Sequence, residues 1–243
     1  MNKYKYLKTD LKSGVFSIEL IRKKNMNALN TSSLDELKKV FIEASENSKV
    51  KIIILHSNEQ NFSAGADIKE KPKRKNYLER WQKNYGKECI EAILKAPQIT
   101  ICVTNGYTLG GAAVIATACD FRLGNKDTII GYPEIALGMN LNWLGLPLLQ
   151  NLVGSTKTKE MVISGINYST DELSNFNFFD DLFDANEKSE TINKWINKFK
   201  SRSPLASQMI KRSINVLAYN NAIAVMHMDY DQFLLTRELG KKD

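Results

Sequence analysis

The sequence predicts an α/β domain whose first half alternates strands with helices and whose second half is mostly helical. Three observations carry that expectation. Two apolar runs, Val50 to Leu55 (VKIIIL) and Ile99 to Val103 (ITICV), have the length and β-branched content of buried strands. The segments around them place apolar residues at helical spacing instead. At 243 residues, with 43% hydrophobic and 25% charged residues, the chain can bury a sizeable core without disulfides or a structural metal.

Taken in order, Val15 to Ile21 is β-rich and leads into a polar turn, Lys23-Lys24-Asn25. Ser32 to Ser45 sets Leu34, Leu37, Val40, Phe41 and Ala44 on one helical face, with Thr31 or Ser33 as the capping hydroxyl. After the first apolar run, Ser57 to Asp67 is a polar loop and Tyr77 to Ala96 a long amphipathic helix. The second run ends at Asn105-Gly106. From Gly110, the small residues of GGAAVIATACD suit a helix packed closely on its neighbours. Phe121-Arg122-Leu123 and Thr128-Ile129-Ile130 are brief strands. Helices follow at Leu144 to Leu152, Lys157 to Ser164, Ser169 to Phe176, Glu187 to Arg202 and Pro204 to Ala218, with a last one beyond Asn221. No repeat or linker interrupts this order, which suggests a ββα-type core (1–185) and a helical C-terminal region (186–243).

The formal charge is +7, densest at Lys69, Lys71, Lys73, Arg74 and Lys75. No nucleic-acid-binding motif accompanies those residues and no aromatics are interleaved with them, so a solvated surface is expected and nucleic acid is not. A positive field also favours a ligand bearing several phosphates. Cys89, Cys102 and Cys119 lack metal-ligand spacing, and an odd number cannot pair fully within one chain. No run of about 18 apolar residues exists to span a membrane. The polar start at Met1 to Tyr6 has no signal-peptide core, so a cytoplasmic location is expected. His56 and His227 lie outside any chemical motif, and Ser63 lacks a nucleophile-elbow context. Met226, Met228 and Tyr230 read as core or interface.

Two glycine-containing loops carry the chemistry. Phe62-Ser63-Ala64-Gly65-Ala66-Asp67-Ile68 and Asn105-Gly106-Tyr107-Thr108-Leu109-Gly110-Gly111-Ala112 each follow an apolar strand and lead toward a helix-like stretch. Small residues there let a ligand approach the backbone, and a helix start presents unpaired N–H groups. Two such groups converging on one oxygen make an oxyanion hole. On spacing alone, structural glycine turns are the better explanation of each loop.

The order of the motifs adds a resemblance. FSAGADIKE, then NGYTLGGA, then GYPEIALG resembles the signature of the crotonase (enoyl-CoA hydratase/isomerase) superfamily. RKKNMNALN at Arg22 to Asn30 is similar to its N-terminal segment, and Ser203-Pro204-Leu205-Ala206 with Lys211 to its helical region. The resemblance runs from about residue 8 to about residue 235. It implies an α/β crotonase-like fold of repeated ββα units with C-terminal helices that mediate a homotrimer, or a hexamer made of two trimers. It also implies an acyl-CoA substrate, with coenzyme A as part of that substrate and no separate cofactor or metal. The thioester oxygen would sit between the N–H groups of Ala66 and Gly111, with Glu134 as catalytic acid–base. Ala28, Ala64, Gly65, Asp67, Ile68, Leu109 and Gly110 would line the substrate path, and Arg22 and Lys24 would lie near the CoA phosphates. Asp67 is expected to fix the first loop, and Glu70 to be a solvated helix-start acid.

Departures from that pattern narrow the chemistry. Where hydratases carry a second glutamate after the glycine pair, this chain has Val114, which cannot move a proton. Gly138 to Leu144 (GMNLNWL) replaces the family's glycine-rich loop, and resembles the Trp-Leu pair of Δ3,Δ2-enoyl-CoA isomerases, with Trp143 either a substrate contact or a plain core residue. The resemblance therefore favours a one-glutamate isomerase over a hydratase. A decarboxylase acting on a CoA or carrier-protein thioester, and a non-catalytic CoA- or protein-binding oligomer, are the alternatives. Asn177 replaces a family glycine, and the lysine and aromatic residue of the family's last helix have no counterpart before Lys241-Lys242-Asp243.

Overall fold

A computed structural model describes residues 3–70, 76–226 and 228–239. Lys71, Lys73, Arg74 and Lys75 of the basic cluster, His227 and the terminal Lys241 to Asp243 lie outside the described residues.

The chain opens with an antiparallel hairpin, β1 (Leu7–Lys12) and β2 (Val15–Leu20), turned at Ser13 and Gly14. Helix α1 (Thr31–Glu46) crosses to β3 (Ile52–Ser57). Two helices, α2 (Tyr77–Trp81) and α3 (Tyr85–Lys95), lead to β4 (Ile99–Thr104) and the short β5 (Tyr107–Leu109). Then come α4 (Gly111–Ala118), β6 (Phe121–Asn125), β7 (Ile129–Gly131) and α5 (Gly145–Ser164). The remainder is β8 (Asn167–Ser169), α6 (Thr170–Leu173), β9 (Asp181–Phe183), α7 (Lys188–Lys200), α8 (Pro204–Val225) and α9 (Asp229–Leu239).

One sheet runs β1-β2-β3-β4-β6-β9, parallel throughout except for β1; a second runs β5-β7-β8. The continuous apolar run of β3 has a direct cause. Alternate residues of a strand point to opposite faces, and this strand is covered on both. Ile53 and Leu55 join a core built with α1, α3 and α4, whereas Ile52 and Ile54 join a second core closed by Trp195 of α7. The mixed α/β architecture expected from the sequence is therefore present, with the helices on both sides of the parallel sheet.

Four local expectations are corrected. Asn30, not Thr31 or Ser33, caps α1, its side chain accepting from the Ser33 N–H at 2.8 Å. The predicted helix from Tyr77 to Ala96 is broken, because the Asn84 side chain accepts from the Lys87 N–H and starts α3 afresh. The helices predicted at Leu144 to Leu152 and Lys157 to Ser164 join into α5 across a kink at Gly154, whose φ of 80° is non-helical. Glu70 is not simply solvated: its Oε2 accepts from the N–H of Thr31 at 2.7 Å and its hydroxyl at 2.9 Å, anchoring the start of α1. The turn at Asn177 does adopt the left-handed backbone, with φ 53°. Cys89, Cys102 and Cys119 are all buried free thiols. No described helix is long and apolar enough to cross a membrane.

Candidate active site

The two glycine loops are joined by a backbone ladder. Phe62 donates to Asn105 O at 2.7 Å, Ser63 to Tyr107 O at 3.0 Å and Leu109 to Ser63 O at 3.1 Å. On its other side the first loop pairs with the segment before α1, through Ala64 to Met26 O, Leu29 to Gly65 O and Asp67 to Leu29 O. These last two bonds use the peptide groups flanking Ala66. Among the described residues, neither the N–H of Ala66 nor that of Gly111, the first residue of α4, donates to the backbone. Ala66 is exposed.

Glycine is required where the loops meet. Gly65 has φ +86°, and a Cβ there would overlap the Leu109 carbonyl oxygen and lie 3.5 Å from the Gly111 nitrogen. That closeness brings the peptide before Ala66 beside the start of α4. Gly110 has φ +52°, a conformation costly for residues with a side chain, and its own N–H is held by Gly131 O at 2.8 Å. A Cβ on Gly110 would stand 2.8 Å from Oε1 of Glu134.

Glu134 is brought there by a 3-10 turn, Pro133–Leu137, opened by proline and closed by the left-handed Gly138. The residue before the turn is anchored to α4, since the buried Tyr132 hydroxyl lies 2.7 Å from Thr117 Oγ1. Among the described residues the carboxylate has no ion-pair partner. Its Oε2 is buried with no hydrogen-bond partner among the described residues. Burial raises its pKa to about 7, against a smaller opposing effect of its own backbone N–H. A carboxyl whose pKa lies near neutrality, set against Gly110 and so next to the start of α4, is equipped to take a proton and return it.

The other anticipated positions divide into a framework and a rim. Burial would raise the pKa of Asp67, but the Arg22 guanidinium and the Lys69 N–H outweigh it and hold the carboxyl below its usual value. Arg22 Nη1 donates to Asp67 Oδ2 at 2.6 Å and to Ala28 O at 2.7 Å. Arg22, Ala28 and Asp67 are thus tied together as the backing of the first loop, and that Arg22 nitrogen is committed to the protein. Lys24 is exposed and Ile68 is 74% exposed, both on the rim. Ala64 and Leu109 are partly buried within the paired loops.

Trp143 is partly buried, and its indole occupies the space that Cβ atoms on Gly111 of α4 and Gly86 of α3 would fill. Nothing in the sequence marks Gly86 as its partner, because the contact joins residues 57 positions apart. Val114 is 1% exposed within the same core, and its Cγ2 would touch a Cβ on Gly145 at 3.0 Å. His56, on β3, pairs its Nε2 with Ser17 Oγ at 2.8 Å, and burial, then Lys188, lower its pKa to about 4. Among the described residues, no cluster of metal-ligating side chains is present.

Comparison with known proteins agrees with this architecture. The model of the family "Enoyl-CoA hydratase/isomerase" matches residues 10–240. The short-chain-enoyl-CoA hydratase of Clostridium acetobutylicum is 30% identical over 199 residues, covering 82% of this chain and 76% of that protein. The ethylmalonyl-CoA decarboxylase of Mus musculus is 23% identical over 218 residues, covering 82% and 66%. Among solved structures, an enoyl-CoA hydratase from Mycobacterium avium subsp. paratuberculosis K-10 superposes with a TM-score of 0.89 at 19% identity, covering 100% of both chains. The chain belongs to the enoyl-CoA hydratase/isomerase family, within the crotonase superfamily, and is an acyl-CoA enzyme of that family.

Proposed function

We propose that this enzyme moves the double bond of a 3-enoyl-CoA to the 2-position, using Glu134 as its one proton-transfer group. The Glu134 carboxylate removes a proton from C2, and the electron pair delocalises through the C3–C4 double bond and the thioester carbonyl. The N–H groups of Ala66 and Gly111 hold the oxygen of that dienolate. Glu134 then returns the proton to C4, leaving a C2–C3 double bond and no net change in composition. A pKa of about 7 suits both halves of the cycle. The observation that carries this reading is Val114: the position where hydratases keep a second glutamate is apolar and buried.

Hydration is the second reading, favoured by the names of relatives such as the Clostridium enzyme. Incubation with 3-enoyl-CoA and with 2-enoyl-CoA, followed by mass analysis and chromatography, separates the two. Isomerisation changes retention at constant mass, whereas hydration adds one water. Dominant hydration of 2-enoyl-CoA with no double-bond migration would sink the proposal. Malonyl-type thioesters in the same assay test decarboxylation.

We also assign the active form as a homotrimer or a pair of trimers. The support is an apolar stripe on α8, where Leu205, Met209, Ile210, Ile214 and Leu217 are all exposed. A monomer in sedimentation at micromolar concentration would overturn that assignment.

A further inference from the structure

Asp229, on α9, is a buried carboxylate with no place in the chemistry above. Its side chain is 0% exposed, and its Oδ1 lies 3.3 Å from Lys87 Nζ of α3. Its Oδ2 accepts the backbone N–H of Leu144 at 3.1 Å. Trp143 and Leu144 both have φ 60°, in the left-handed region. Residues with side chains take that conformation at a cost, so the turn persists only where its surroundings fix it. A charged acceptor on the Leu144 N–H is a strong way to do so. The same helix holds the front of the loop, since Asn140 donates from its N–H to Thr236 Oγ1 at 3.1 Å and from its side chain to Gln232 Oε1 at 2.9 Å. The loop from 140 to 144 is thereby fastened to α9 at both ends.

What this loop carries is the Trp143 indole, lodged in the space above Gly86 and Gly111. We infer that Asp229 is a positioning residue for the oxyanion hole: it pins the Trp143–Leu144 turn, and the pinned indole fixes Gly111 and keeps water from its flank. The inference rests on the enolate-stabilising role given to Ala66 and Gly111. Its physical basis is that preorganised donors act through their exact aim, and lose force when water reaches them.

The test uses the full chain with D229A, D229N and G86A, and whichever enoyl-CoA the wild type converts. Incorporated 5-fluorotryptophan, with the Trp143 resonance identified by W143F, reports the indole by 19F NMR and needs no turnover. In D229A the resonance shifts, and kcat falls by about tenfold to a hundredfold while KM stays within about threefold. D229N keeps an oxygen for the Leu144 N–H and recovers most of that loss. If D229A does not fold, G86A displaces the indole from the α3 side, and the same shift and kcat loss are expected. A shifted resonance with unchanged kcat overturns the inference, as does an unmoved resonance in both D229A and G86A, or a D229N as impaired as D229A. Failure of the wild type on every thioester defeats the proposed function, whereas an active wild type with an indifferent D229A defeats only this inference.

Discussion

Asp67 belongs to the first glycine loop and Glu134 lies against Gly110 of the second, and the protein treats these two carboxyl groups in opposite ways. Asp67 is surrounded by donors, from Arg22 and the Lys69 N–H, and its pKa is lowered. Glu134 is half-buried with its Oε2 fully enclosed; among the described residues that oxygen has no partner and the carboxyl no ion pair, and its pKa is raised to about 7. Satisfying a buried acid makes it a fastening; leaving it unsatisfied makes it a base. The fold spends stability at Glu134 and recovers it around Asp67.

The largest expected departure from that contrast is E134Q. Removing the proton carrier lowers kcat by about 10²- to 10⁴-fold, while acyl-CoA still raises the melting temperature. Unchanged turnover would refute the one-base mechanism. The same variant makes an opposite prediction for stability. A carboxyl whose folded pKa is about 7, against 4.5 unfolded, favours the folded state at low pH and loses that contribution as pH rises through this window. At pH 8, E134Q is therefore more stable than wild type, by about 3 kcal/mol at most, in urea titrations. Wild-type kcat/KM should fall about tenfold per pH unit below roughly pH 7, as the base becomes protonated.

For Asp67 the signs reverse. Its lowered pKa contributes stability above the unfolded value of 3.8 and loses it as pH falls through the folded value. D67N removes the negative charge that Arg22 faces while leaving an acceptor oxygen, and costs about 2 kcal/mol at neutral pH, read by the shift in urea midpoint. Its effect on kcat should be much smaller than that of E134Q; an equal loss would erase the distinction between fastening and base. The smallest expected effect is a gain. V114E restores the missing glutamate at some cost in stability, since it buries a charge, and trace hydration of 2-enoyl-CoA should appear by mass. If V114E isomerises as before and never adds water, Val114 is not what restricts the chemistry.

The fold was legible where burial is periodic. The face of α1 and the runs in β3 and β4 announce themselves because packing on both sides of a parallel sheet leaves little room for polar residues. The edge strand β1 (LKTDLK) and the three-residue β8 and β9 were missed, since so few of their side chains need burying. Asn30 won the cap of α1 over two neighbouring hydroxyls through a geometry that composition does not encode. The site was legible as ordered loops, because close backbone approach demands glycine at fixed spacing. The commitment of Arg22 to Asp67 and Ala28, the anchoring by Glu70 and the reach of Asp229 were not. Each depends on residues brought together from distant parts of the chain, with no periodic trace.

The indole between two helices also constrains the order in which this protein can change. A side chain at Gly86 or Gly111 collides with Trp143 as long as the tryptophan is present. Replacing the tryptophan by a small residue first would open a void that either glycine could then fill. The three positions are expected to be strongly non-additive, with the route through the tryptophan first less costly than the route through either glycine first. A variant library that samples them singly would record the two glycines as sensitive and overlook the double variants in which a smaller residue at 143 makes room for them.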